Sequence, residues 1–196
     1  MNINFNVLGV AGSTRQGSYS TQALKIALEH AKKHGAEVRL LELNRILLPI
    51  YDPSAPVSKE VERAAEAIAW ADAFILASPD YHGSMSGALK NFLDHFYEEF
   101  AGKMFGYIVA SHEKGLTVMD QMRTVVRQCY GWSMPYGVSV NGPQDFTSRE
   151  LVNSKLSNRL GMMSRDLVVY GRLVRHQFMH DLGSSEQDTF AAHYRP

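Results

Sequence analysis

Only one cysteine, Cys129, occurs among the 196 residues, which excludes an internal disulfide and any metal site built from several thiolates. That usage suits a reducing compartment and predicts a cytoplasmic protein. An excess of charge is also missing: 20 Lys and Arg stand against 20 Asp and Glu. No global field therefore draws the chain to nucleic acid or to an anionic membrane. No apolar run approaches the ~20 residues that a membrane span needs. Met1–Phe5 has no basic segment leading into an apolar core, so no secretory signal is predicted. Repeats and low-complexity tracts are absent as well. The expectation is one soluble domain over residues 1–183, followed by a polar C-terminal tail, 184–196, with few apolar anchors.

What is present is an alternation of strand and helix patterns. Strands are predicted at Phe5–Val10, Val38–Leu43, Phe74–Ser78, Phe105–Ala110 and Tyr136–Val140. Helical spacing joins Leu24, Ala27, Leu28 and Ala31, then Val61, Ala64, Ala65 and Ile68, then Leu89, Phe92, Leu93 and Phe96. Two further sets are Val118, Met122, Val125, Val126 and Cys129, and Leu156, Leu160, Met163 and Leu167. The first, third and fourth strands are apolar without alternation, as when helices cover both faces. The predicted fold is α/β, a doubly wound five-stranded parallel sheet in a three-layer sandwich. Right-handed crossovers leave few strand orders. In the flavodoxin-like order 2-1-3-4-5, strands 1 and 3 are neighbours at the switch point, where ligands bind.

The loop after the first strand, Gly12-Ser13-Thr14-Arg15-Gln16-Gly17-Ser18-Tyr19-Ser20-Thr21, combines glycine, hydroxyls and one guanidinium at a helix start. Free backbone N–H groups and the positive helix end favour an anion there. Gly12 and Gly17 have the spacing of G-x-x-x-x-G-K-[ST], but Ser18 replaces the Lys and Tyr19 the metal-binding hydroxyl. The G-x-G-x-x-G fingerprint is absent too. A terminal monophosphate suits the remaining donors; taken alone, the loop is equally an N-capped Ser/Thr turn.

Strand adjacency predicts that the loop after the third strand carries the other half of the site. It reads Pro79-Asp80-Tyr81-His82-Gly83-Ser84, and its glycine and aromatic suit a flat ring system. The next loop, Ser111-His112-Glu113-Lys114-Gly115, supplies a far wall. Gly83-Ser84-Met85-Ser86-Gly87 has the glycine spacing of a nucleophile elbow but Met85 at its centre, which argues against a hydrolase.

Together these segments resemble the NADPH-dependent FMN reductase family of flavodoxin-like flavoproteins. Gly12, Ser13, Arg15 and Ser18 match its G-S-x-R-x-x-S motif. Pro79, Tyr81, Gly83, Ser84, Leu89, Lys90, Asn91 and Asp94 match P-E-Y-N-G-S-x-x-x-x-L-K-N-x-x-D. Asp80 replaces a Glu, His82 an Asn and Ser20 an Asn, and the third loop is poorer in glycine than the family's. The resemblance implies that Ser13, Arg15, Ser18 and Ser20, with Thr21 beside them, hold the FMN phosphate. It places Pro79, Asp80, Tyr81, His82, Gly83 and Ser84 along the isoalloxazine, with Ser111, His112 and Gly115 on its pyrimidine side. His82 puts a group that titrates near neutrality where the family has an amide.

The activity implied is transfer of electrons from NADPH or NADH through FMN to a small acceptor: a flavin, quinone, azo compound or metal ion. No side chain acts as catalyst, because the flavin carries the chemistry. Arg15, Arg45 and Arg149 are all candidates for a nucleotide 2′-phosphate. The alternative is a flavodoxin-type electron carrier docking to protein partners, which the balanced charge disfavours. No metal site is expected: His30 and His34, and likewise His176 and His180 if that region is helical, have chelating spacing, but no carboxylate or Cys completes either pair at typical spacing. Relatives' habits and the aromatic run Phe92, Phe96, Tyr97 and Phe100 predict a homodimer or homotetramer.

Overall fold

The computed structural model describes residues 4–195. Its elements run β1 (Phe5–Ala11), α1 (Tyr19–Lys33), β2 (Ala36–Glu42), α2 (Lys59–Trp70), β3 (Ala73–Pro79), α3 (Gly87–Asp94), β4 (Met104–Ala110) and α4 (Leu116–Gln128). There follow β5 (Trp132–Ser133), β6 (Val138–Val140), α5 (Gly142–Asp145), β7 (Phe146–Thr147), β8 (Glu150–Leu151) and α6 (Ser154–Gly183). The main sheet is parallel in the order β2-β1-β3-β4, with β5 and β6 both pairing along the outer side of β4. This is the flavodoxin-like order with its fifth position shared by two short strands. Trp132 and Ser133 face Met104 and Phe105, whereas Val138–Val140 face Ile108–Ala110. Pro135 lies between them and has no N–H to continue the ladder, so the single strand predicted at Tyr136–Val140 is shorter and has a separate forerunner.

Side chains leave each strand on alternate faces, so each inner strand feeds two cores. Leu8, Val10, Phe74, Leu76, Phe105 and Tyr107 meet α2, α3 and α4 on one face. Val7, Ile75 and Ile108 meet α1 and α6 on the other. Each large side chain removed from water contributes about 1.5–3 kcal/mol. Phe92, Phe96 and Phe100 join the first core, and of the aromatic run only Tyr97 is exposed. Cys129 is buried in the same layer below α4.

The last helix is longer than its apolar signature. The pattern ends near Leu167, yet α6 continues to Gly183, and its final buried position, Phe178, anchors the residues beyond it. A 3₁₀ turn at Phe190–Tyr194 folds back so that Ala191, Tyr194 and Phe190 pack on Phe178. Arg195 fastens this return, donating from Nη2 to the carbonyls of Asp181 and Glu186 and to Ser184 Oγ.

Candidate active site

A cleft of about 1450 Å³ opens at the carboxyl ends of β1, β3 and β4. Ser18 is the N-cap of α1, in extended backbone with its Oγ accepting from Thr21 N. The first helical turn therefore aims N–H groups that have no partner in their own helix towards the cleft. Ser13 is buried, and its Oγ accepts from Arg15 N at 3.2 Å. Ser13, Arg15, Ser18 and Ser20 all line the cleft. Thr21 does not: it is buried on the helix, and its Oγ1 lies 2.8 Å from Ser18 Oγ. It supports the cap rather than forming the wall.

The loop after β3 turns back through His82 and Gly83, both in left-handed backbone at φ 57° and 74°. Tyr81 and Ser84 pair antiparallel across this turn. Asp80 organises it, Oδ1 accepting from Gly83 N at 2.8 Å and Oδ2 from Ser111 Oγ at 2.9 Å. One carboxylate thus joins the second and third loops. Gln121 on α4 buttresses the same turn, its Oε1 accepting from Ser84 Oγ and Met85 N, both at 3.0 Å. Ser84 is consequently held against α4 and is not on the cleft wall, whereas Pro79, Asp80, Tyr81, His82 and Gly83 are. Ser111, His112 and Gly115 line the opposite side.

A third wall comes from a segment that the sequence reading did not mark as structured. The hairpin β7–β8 pairs Phe146 with Leu151 and Thr147 with Glu150. Its two-residue turn, Ser148-Arg149, has φ 49° and 72°. This geometry usually takes Asn-Gly or Asp-Gly, so Ser-Arg gives no hairpin signal. Phe146 is buried beside Tyr19, ring centroids 5.6 Å apart. Asp145 secures both feet of the segment, accepting from Asn141 N and Asn153 Nδ2 at 2.7 and 2.6 Å. Tyr19, Phe146, Ser148 and Arg149 thereby join the cleft lining. Arg45 stays outside it, paired with Glu42 at 3.2 Å.

The cleft has two chemical halves. Around the α1 start, the charged groups are the guanidinium groups of Arg15 and Arg149, among hydroxyls. The lining carboxylates, Asp80 and Glu113, belong to the other two loops, and Asp80 is occupied by two donors. A phosphate fits the first half, where both guanidinium groups stand and no carboxylate lines the wall. A flat aromatic group fits the second, where Tyr81, Pro79 and a tight backbone turn offer surface without bulk. These are the two ends of FMN. Among the described residues no group of three or more His, Cys, Asp or Glu is placed to hold a metal ion, and no helix is long and apolar enough to cross a membrane.

Comparison with known proteins agrees with this chemistry. An NAD(P)H-dependent FMN reductase of Pseudomonas aeruginosa is 37% identical over 97 residues, 48% of this chain and 51% of that protein. The match thus spans about half the length of that relative. An FMN-dependent NADPH-azoreductase of Staphylococcus aureus is 29% identical over 153 residues, covering 72% of this chain and 79% of its own. In the solved structure of FerB, a flavoenzyme NAD(P)H:(acceptor) oxidoreductase of Paracoccus denitrificans, the fold is shared at a TM-score of 0.72. Identity there is 19%, over 86% of this chain and 98% of that one. The family model for NADPH-dependent FMN reductase matches residues 5–145, from β1 to the end of α5. This chain belongs to that family.

Proposed function

We propose that the protein is an FMN-dependent NAD(P)H oxidoreductase acting on a small electron acceptor. The observation that carries this reading is the division of one cleft at the β1–β3 switch point into an end with two guanidinium groups and no carboxylate, and an end walled by Pro79, Tyr81 and a tight backbone turn. Ser13, Arg15, Ser18 and Ser20 hold the phosphate, with Thr21 fixing the cap from behind. Pro79, Asp80, Tyr81, His82 and Gly83 face the ring system, with Ser84 clamped to Gln121 so that the turn keeps its shape. Ser111, His112 and Gly115 close the remaining edge, held to Pro79–Gly83 through Asp80. When bound, FMN supplies the hydride acceptance and donation. The chain's own work is to bind it, orient it and leave one face reachable by nicotinamide and acceptor in turn. The acceptor class is a flavin, quinone, azo compound or metal ion.

The purified protein with added FMN tests this directly. Retention of the yellow chromophore, its bleaching by NADPH or NADH without oxygen, and turnover with a small quinone and no protein partner are the expected results. A protein that retains no FMN overturns the reading. Retention without NAD(P)H oxidation favours an electron carrier instead. Exposed Leu47, Ile50, Tyr51 and Val57, between β2 and α2, support a homodimer or homotetramer; a monomer by light scattering at micromolar concentration refutes it. The single buried thiol supports a cytoplasmic setting.

A further inference from the structure

The β7–β8 hairpin delivers a cation to the phosphate loop from the far side of the cleft. An atom added at the Cβ position of Gly17 would lie 3.5 Å from both Cζ and Nη2 of Arg149, and 3.7 Å from Nε. The guanidinium therefore rests over the end of the loop, at the residue just before the α1 cap. Among the described residues Arg149 pairs with no carboxylate and donates to no protein acceptor. It is carried by a turn in which both residues have left-handed backbone and neither is glycine. Glycine at the second turn position is the relaxed choice, and it would bring no charge. Strained turns of this kind gather at ligand clamps.

Charge balance points the same way. A phosphate monoester carries about −1.5 to −2 near neutral pH. The loop itself offers one guanidinium, Arg15, and otherwise neutral donors. A second cation completes the match, and its approach is fixed in advance by the Asp145 anchors and by Asn141 Nδ2 donating to His112 O.

We infer that Arg149 binds the terminal phosphate monoester of the flavin nucleotide, closing over it opposite Arg15. This rests on the proposed FMN-dependent activity and adds a residue beyond the loop motifs. NADPH also carries a monoester, at its 2′ position, but the place over Gly17, inside the Ser13–Ser18 loop, selects the flavin's.

The test compares FMN with riboflavin, which lacks the phosphate, by quenching of flavin fluorescence in wild type, Arg149→Ala, Arg149→Gln and Arg149→Lys. FMN affinity should fall about 10- to 100-fold in Arg149→Ala and Arg149→Gln while riboflavin affinity changes less than about twofold, and Arg149→Lys should recover part of the loss. Arg149→Gln keeps a polar, uncharged side chain at the turn and serves should the alanine variant not fold. Unchanged FMN affinity overturns the inference, as does an equal loss for both flavins, which marks a structural role. A rise in KM for NADPH but not NADH, with FMN binding intact, moves the guanidinium to the nicotinamide nucleotide and also overturns it. Wild-type protein that binds neither flavin overturns the functional reading itself.

Discussion

The two ends of the parallel sheet use the same kinds of residue for opposite purposes. At the carboxyl end, Arg15 and Arg149 face an open cleft and the hydroxyls of Ser13 and Ser18 lie at its wall. At the amino end, charge is folded inward. Arg175 Nε lies 3.2 Å from Asp72 Oδ1, and Asp72 Oδ2 accepts from Asn6 N. Lys103 is 6% exposed and donates to the carbonyl of Ile68, in a site where burial pulls its pKa down to about 8. Aromatic packing of the C-terminal return on Phe178 lies beside it. Connections leaving the carboxyl ends of parallel strands are the ones free to form a binding crevice. The opposite end can be sealed without cost to that crevice, and the chain seals it.

The contrast predicts that substitutions at the amino end change stability most, while loss of a cleft cation at the carboxyl end changes binding. The largest effect is expected from Gly102→Ala. Its backbone is left-handed at φ 70°, and the new methyl would meet the Phe178 ring at 2.4 Å. A loss of about 3 kcal/mol in denaturant unfolding is expected, with the FMN affinity of the folded protein unchanged. A fall in that affinity would break the division between the ends.

Lys103 gives a pH-dependent test. Its pKa is about 8 in the folded chain against 10.5 as the ordinary value. Below pH 8 both states are protonated and the penalty of burying the cation is present in full. Between 8 and 10.5 the unfolded chain binds more protons, so stability rises with pH, and it levels off above. Lys103→Met should raise stability near pH 7 by about 2 kcal/mol and flatten that rise. A rise of the same size in the variant would remove Lys103 from the explanation.

At the open end, Arg15→Ala should weaken FMN binding by about 1.5 kcal/mol, read by equilibrium titration, with a melting temperature near wild type for the flavin-free protein. Equal affinity in the two proteins takes Arg15 out of the site. The smallest effect is expected from Ser148→Gly, which relaxes one left-handed residue at the hairpin tip. A gain of about 0.5–1 kcal/mol by thermal unfolding is the expected sign; a loss would mean that the Ser148 side chain is needed.

The inner strands, and with them the position of the two loops that follow β1 and β3, were legible because their physics is local. β1, β3 and β4 are buried on both faces and read as continuous apolar runs. The first loop reads as an N-capped Ser/Thr turn, and Ser18 performs that cap. The remainder depends on contacts distant in sequence. Towards the end of α6 the buried positions are Gly171 and Phe178, with Leu173 and Met179 exposed, so its apolar face is too sparse to read before the tail is seen to cover it. Ser148-Arg149 lacks the glycine that announces a two-residue hairpin. Thr21, in the first turn of α1, is drawn to Ser18, and Ser84, in the loop after β3, to Gln121. Motif position gave their neighbourhood and not the direction of their hydroxyls.

The seclusion of Cys129 has a practical side. The chain's sole thiol is 4% exposed, and desolvation raises its pKa above the usual range for cysteine, so alkylating probes at neutral pH should leave it alone. A reporter thiol introduced at Ser148 could then carry a fluorophore or spin label on an otherwise native background, and the hairpin could be watched as ligands arrive.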